Sequence, residues 1–119
     1  MPTKNRDDFN QCVALVFGLL FKSFPREREL LVDELVADVD MMDNYLATIR
    51  FLQREALISY QELYFSTFKG VVLTAKGLKV LDTKEEEETL VQKINDALLD
   101  GDKTEIASLI QSVINFSVI

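Results

Sequence analysis

Apolar residues return every three or four positions from Phe9 through Val13, Val16 and Leu20 to Phe24, a spacing that predicts a first helix over about 9–23. Asp8 stands where a cap belongs, and Pro25 disfavours helical geometry at Phe24, so the helix should stop there. Phe17 and Phe21 form a second stripe, on a face that a two-layer fold would leave to solvent. Something should cover it.

Leu31, Glu34 and Leu35 give the rhythm of a short second helix near 27–37. Asp38-Val39-Asp40 then breaks it, and a third helix is expected from about Met41, with Asp40 as its cap. On a helical wheel the third helix turns Met42, Tyr45, Ile49, Leu52 and Ala56 inward. Asp43, Ala47, Arg50, Arg54 and, toward one edge, Phe51 lie on the opposite side, with Asn44 and Thr48 at the flank. Past Ala56 the period changes. Ile58, Tyr60, Tyr64 and Phe65 favour a strand, Ser66 to Gly70 a turn, and Val71-Val72-Leu73 a returning strand. Thr74 is placed to cap a helix in AKGLKVL. The acidic run at 84–88 precedes Leu90, Val91, Ile94 and Leu98 at helical spacing, and reads as carboxylates in a solvated first turn. Gly101 should end that helix, and Asp102 or Thr104 should open the last one, whose Ile106, Leu109, Ile110, Val113, Ile114 and Phe116 are apolar on more than one side. The fold class predicted is mainly α with a small β-hairpin.

With 119 residues, 48% of them hydrophobic, one well-cored unit is expected. The formal charge of −7 opposes broad affinity for polyanions. That charge is uneven: residues 41–82 hold five basic against four acidic side chains, whereas 1–40 hold five against eight and 83–119 three against eight. The segment with the third helix is the one that is not acidic, so local charge weakens the objection.

Several chemistries drop out on residue types alone. The chain has no histidine and a single cysteine, which removes histidine-dependent triads, histidine zinc sites and all-cysteine sites. No glycine-rich phosphate loop or nucleophile elbow occurs, and adjacent acids in EEEE point in different directions on a helix. We therefore expect no enzyme, no metal and no cofactor. Cys12, among Val13, Val16 and Phe17, reads as a buried structural thiol in a reducing compartment, the cytoplasm. The apolar run from Cys12 to Phe21 is too short to cross a bilayer, and Asp7 and Asp8 stand where a signal peptide would be basic. No membrane role is expected.

The order of helix, short helix, turn, helix and hairpin, together with three local motifs, resembles the winged helix-turn-helix superfamily over residues 9–82. Members commonly read E-L-A in the second helix, where this chain has Glu34-Leu35-Val36. They read L-x-x-x-G-L-I at the end of the third helix, here Leu52 to Ile58, and L-T-x-K-G after the wing, here Leu73-Thr74-Ala75-Lys76-Gly77. Such segments are frequent in MarR-like and PadR-like regulators of bacteria and archaea. Ala56 departs from the pattern: the usual glycine takes a left-handed conformation that alanine accepts less readily, which leaves that turn open to another geometry.

The resemblance implies a winged helix-turn-helix domain over 9–82 followed by two helices over 83–119, which either pair with a second copy or pack on the first helix. Dimerisation is the favoured expectation. It also implies a DNA-binding transcriptional regulator that reads duplex DNA with Arg50 and Arg54 on the third helix, Asn44 and Thr48 at its flank and Lys69 in the wing. The alternative is a winged-helix protein–protein interaction module without DNA binding, in which Leu46 and Phe51 meet the partner.

Overall fold

Thr3 accepts a hydrogen bond from the Arg6 amide and starts helix α1, Lys4–Ser23, a full turn ahead of the expected Asp8 cap. The computed structural model describes residues 3–117. Asp8 lies inside the helix and is 5% exposed. The early start has no apolar period to announce it, because the first turn is polar and solvated. Farther along, Cys12, Val13, Ala14, Val16, Phe17 and Leu20 are all buried, which no single packing partner could achieve for residues spread around a helix.

The expected second helix is divided equally between a strand and a helical turn. β1, Arg28–Leu31, is followed by a single helical turn, α2, Val32–Leu35. Helix-forming residues here are overruled by tertiary pairing: β1 runs antiparallel to β4, Thr67–Leu73, with Leu30 opposite Phe68 and both buried. A 3-10 turn, Val39–Met41, is capped by Asp38 rather than started after Asp40, and α3, Met42–Arg54, follows with no side-chain cap. The buried stripe of α3 is Tyr45, Thr48, Ile49 and Leu52.

Ala56 resolves the doubt about its turn. It adopts φ 61°, its amide donates to the Gln53 carbonyl at 2.9 Å, and the Leu57 amide donates to the Leu52 carbonyl at 3.0 Å. That pair of bonds is the Schellman arrangement, made here with alanine where glycine is the usual residue. The chain then enters β2, Ile58–Ser59, and β3, Glu62–Tyr64, which both pair antiparallel with β4, so β4 is the centre of a four-stranded sheet with β1 on its other side. The hairpin turn is Phe65-Ser66, since Tyr64 pairs with Thr67; of the turn expected at Ser66–Gly70, Ser66 belongs to it and the rest falls inside β4. Gly70 signals a bend and not a reversal: at φ 69° it lets β4 pass under the Gln61 side chain, whose Cδ would lie 2.7 Å from an added Cβ.

Helix α4, Ala75–Leu81, starts on Thr74, whose hydroxyl oxygen accepts from the Gly77 amide and donates to the Ala56 carbonyl at 2.6 Å. Lys76 Nζ donates to the Glu55 carbonyl at 3.1 Å, and a Cβ on Gly77 would lie 2.1 Å from the Leu57 carbonyl oxygen. Three residues of the LTAKG segment thus hold the chain where α3 ends. The acidic run is not a helix start: Lys84–Glu85 and Glu88–Thr89 form a small hairpin, β5 and β6, turning at Glu86 with φ 64°. Helix α5, Leu90–Asp100, begins after it with Thr89 and Gln92 in a reciprocal capping box. Gly101 ends α5 at φ 67°, and Asp102 accepts the Glu105 amide at the start of α6, Lys103–Ser117.

Both tail helices pack on α1 and on each other, burying Leu90, Val91, Ile94, Ile106, Leu109, Ile110 and Val113 in the same core as Phe17. They are the missing cover for the second stripe. Among the described residues of the tail, Leu99 is the large apolar side chain left exposed. The unmatched apolar faces that suggested a dimer are therefore occupied within one chain. No helix is long and apolar enough to cross a membrane among the described residues.

Ala56→Gly should raise the free energy of unfolding by about 0.5–1 kcal/mol, because a left-handed alanine costs roughly 1–2 kcal/mol and the added backbone entropy of glycine offsets part of the relief. Gly77→Ala should lower it by about 1–3 kcal/mol or more, since the methyl meets a backbone carbonyl that cannot swing aside. Urea midpoints of the two variants measured beside the parent chain would show shifts of opposite sign.

Candidate nucleic-acid interface

Helix α3 presents Asp43, Ala47, Arg50 and Arg54 to solvent, each exposed. Arg50 and Arg54 are four residues apart and so lie one above the other on the same face. Neither guanidinium is in an ion pair among the described residues, where Lys4–Asp8 and Lys93–Glu85 are the pairs that form. Arg54 sits over the Phe51 ring at 5.9 Å from its centre, and that contact limits the swing of the long side chain. The face is held in place from beneath: Tyr45, Ile49 and Leu52 lock α3 onto α1, and the Schellman turn fixes where it ends.

The other expected contacts are placed differently. Thr48 is 4% exposed, and its hydroxyl donates to the Asn44 carbonyl at 2.6 Å, so it belongs to the buried stripe and cannot reach a ligand outside. It completes an i, i+3, i+4, i+7 stripe with Tyr45, Ile49 and Leu52, while Met42, expected inward, is half-buried and Ala56 is exposed. Asn44 is half-buried, and its Nδ2 donates to Asp8 Oδ2 at 2.8 Å and to Asn5 Oδ1 at 3.2 Å. Its role is to tie the start of α3 to α1. Leu46 and Phe51, expected as an exposed apolar surface, are half-buried against the core, with Phe51 edge-on to Phe9 at 5.6 Å. Lys69 stands on β4 opposite Glu62, short of the hairpin tip and half-buried, with Nζ 5.9 Å from the centre of the Tyr64 ring.

What occupies the tip instead is a pair of aromatic residues, Tyr64 and Phe65, edge-on to each other at 4.6 Å. Phe65 is 84% exposed and takes φ 54°. A bulky side chain at positive φ is uncommon and strained. Reading Phe65 as part of a strand concealed this, because strand propensity and an exposed turn cannot be separated when the turn lacks glycine or asparagine.

The Asp8 carboxyl is the charged centre beneath the start of α3. Burial pushes its pKa up, but hydrogen bonds from Lys4 and Asn44, with the Lys4 charge, outweigh that and hold it below the ordinary aspartate value. Lys4 Nζ lies 2.7 Å from the same Oδ2 that Asn44 reaches. Cys12 is buried beside it and its thiol is pushed up, first by burial and then by the Asp8 charge, as suits an inert thiol. Among the described residues no three His, Cys, Asp or Glu side chains gather to hold a metal ion.

Compared with protein-family models, curated proteins and solved structures, the chain matches none of them.

A carboxyl whose folded pKa is depressed stabilises the fold above its unfolded pKa, about 4 for aspartate, and that stability is lost as pH falls through the folded value. Urea unfolding of the parent chain should weaken below about pH 4, and Asp8→Asn should start lower at neutral pH and lose less on acidification. Parallel pH curves for the two proteins would show that Asp8 carries none of this dependence.

Proposed function

We propose that the chain is a winged helix-turn-helix protein that binds duplex DNA through α3 and regulates transcription. The observation that carries this reading is the pair Arg50 and Arg54, exposed, free of ion pairs and stacked on the solvent face of a helix whose other face is locked to the core. Guanidinium groups so arranged suit the O6 and N7 edges of guanine or a pair of phosphates. The β3–β4 hairpin, reached from α3 through β2, serves as the wing, with Lys69 on its shaft and Tyr64 and Phe65 at its tip. Support also comes from the charge distribution, since the segment 41–82 carries a surplus of one basic residue within a chain at −7.

That net charge sets the kind of binding expected. With few cationic contacts and a repulsive overall field, affinity for random duplex is weak and discrimination rests on base contacts. A monomer suffices for the reading, because the tail helices are occupied by α1.

A second reading has an observation of its own. The strained, exposed Phe65 beside Tyr64 is an apolar tip of the kind that protein partners cover, and it takes the place of Leu46 and Phe51 in the interaction-module alternative. Salt separates the two, since phosphate contacts weaken steeply with ionic strength and an apolar contact does not.

Selection from genomic fragments at low salt, followed by anisotropy titration of the recovered duplex, should give binding at least about tenfold tighter than to random duplex. Arg50→Ala and Arg54→Ala should each weaken it about tenfold or more, as loss of a bidentate base contact does. Lys22→Ala, exposed at the far end of α1, should leave it unchanged. Equal binding by both arginine variants and the parent would remove α3 from the interface.

A further inference from the structure

A cavity of about 320 Å³ opens beside the start of α3, between α1, the connection from α2 to the 3-10 turn, and the junction of α5 with α6. Its volume is at the small end of the roughly 300–1,000 Å³ range of small-molecule sites. Asp8, Gln11 and Leu15 form one stripe of α1 along it, by their i, i+3, i+7 spacing. Leu35 and Met41 line one side, Tyr45 lies on the α3 side, and Ile106 faces them from α6.

Two nearly buried residues in this lining keep hydrogen-bonding atoms in reserve. Lys4 and Asn44 both donate to Asp8 Oδ2, so Oδ1 takes neither bond. Tyr45 is 1% exposed, and its one hydrogen bond to a partner across the core is the backbone carbonyl's, accepted from Cys12, so the hydroxyl has no protein partner among the described residues. Buried side-chain polar atoms lacking both water access and a partner reduce, among those residues, to Arg28 Nε. Asp8 Oδ1 and the Tyr45 hydroxyl therefore retain accessible surface, and the cavity is the space that both residues line. Of the charged lining residues, Asp7 and Asp8 stand against Lys103, and Lys4 pairs with Asp8 from outside the lining, in a chain of net charge −7. The overall field favours a cation.

We propose that this cavity binds a small organic monocation with an apolar body, its charged head on Asp8 Oδ1 and the Tyr45 hydroxyl and its body against Leu15, Leu35, Met41 and Ile106. A carboxylate already held by two donors on one oxygen is oriented before the ligand arrives, which reduces the ordering cost of binding. The apolar walls set the size: a single ring or a short branched chain fits, and a polycation would strand charge against leucine and isoleucine. The site stands whether or not α3 reads DNA, because its ligand contacts none of the exposed arginines. Met41 and Tyr45 nevertheless belong to the entry of α3, so an occupied cavity touches the helix assigned to DNA.

Three probes of one shape test the site on the full chain: 2-phenylethylammonium, 3-phenylpropionate and 3-phenylpropan-1-ol, each titrated while amide chemical shifts are followed. The ammonium probe should saturate, with the largest shifts at Asp8, Leu15, Met41, Tyr45 and Ile106. The carboxylate should bind at least about tenfold more weakly, the scale of one charge-assisted hydrogen bond. Asp8→Asn should bring the cation down to the level of the alcohol, with Tyr45→Phe as the second variant should Asp8→Asn not fold. Leu15→Trp, which fills the space, should abolish binding of all three. Absence of saturation by the ammonium probe, equal binding of the carboxylate, or undiminished binding to folded Leu15→Trp would each overturn the proposal.

Discussion

The structure rests on the burial of one helix around most of its circumference. Cys12, Val13, Ala14, Val16, Phe17 and Leu20 are spread around α1, and all six are at most 1% exposed. Burying a side chain such as Phe17 contributes about 1.5–3 kcal/mol, a large part of the margin of a small domain. No single layer can cover such a helix, so α3 and β4 close it from one side and α5 and α6 from the other. The boundary between 9–82 and 83–119 is thus a boundary in sequence and not in the core: one hydrophobic cluster runs from Cys12 to Val113.

A second constraint acts on the far end of α3. Three residues of LTAKG turn toward backbone: Thr74 to Ala56 and Gly77, Lys76 to Glu55, and Gly77 to the Leu57 carbonyl it must leave room for, while Leu73 joins the core. Such a motif is selected by geometry, because a helix end, a strand start and a helix start meet in one place. It therefore speaks to how the chain turns and says little about what the outer surface binds. The outer surface of α3 carries Arg50 and Arg54, and these contacts fix the helix end behind them.

How much the sequence announces depends on the range of the interaction. Periods of three and four place α3, α6 and the body of α5, and local caps at Thr74, Gly101 and Asp102 are readable because their partners lie within four residues. The Thr89–Gln92 capping box was equally local, but the acidic run before it drew the helix start forward. β1 was hidden because its partner is some forty residues away, and four residues rich in helix formers carry no strand signal. Gly70 misled in the opposite way, since a glycine that bends a strand looks like one that reverses it. The exposure of Arg50 and Arg54 is legible from the wheel; the burial of Thr48 and Asn44 is not, because whether a polar side chain at the edge of a stripe faces water depends on where the neighbouring helix crosses.

The same dependence orders the rest of the molecule. With α1 enclosed, the tail keeps little apolar surface, the cavity beside Tyr45 exists only because α6 approaches from across α1, and α3 has a rigid base on which to present its charges. Ending the chain after Asp82 is the most direct probe. The account predicts that residues 1–82 alone lose cooperative urea unfolding and the dispersed amide spectrum of a packed core. A truncated chain that unfolds cooperatively within about 1 kcal/mol of the full protein would contradict it.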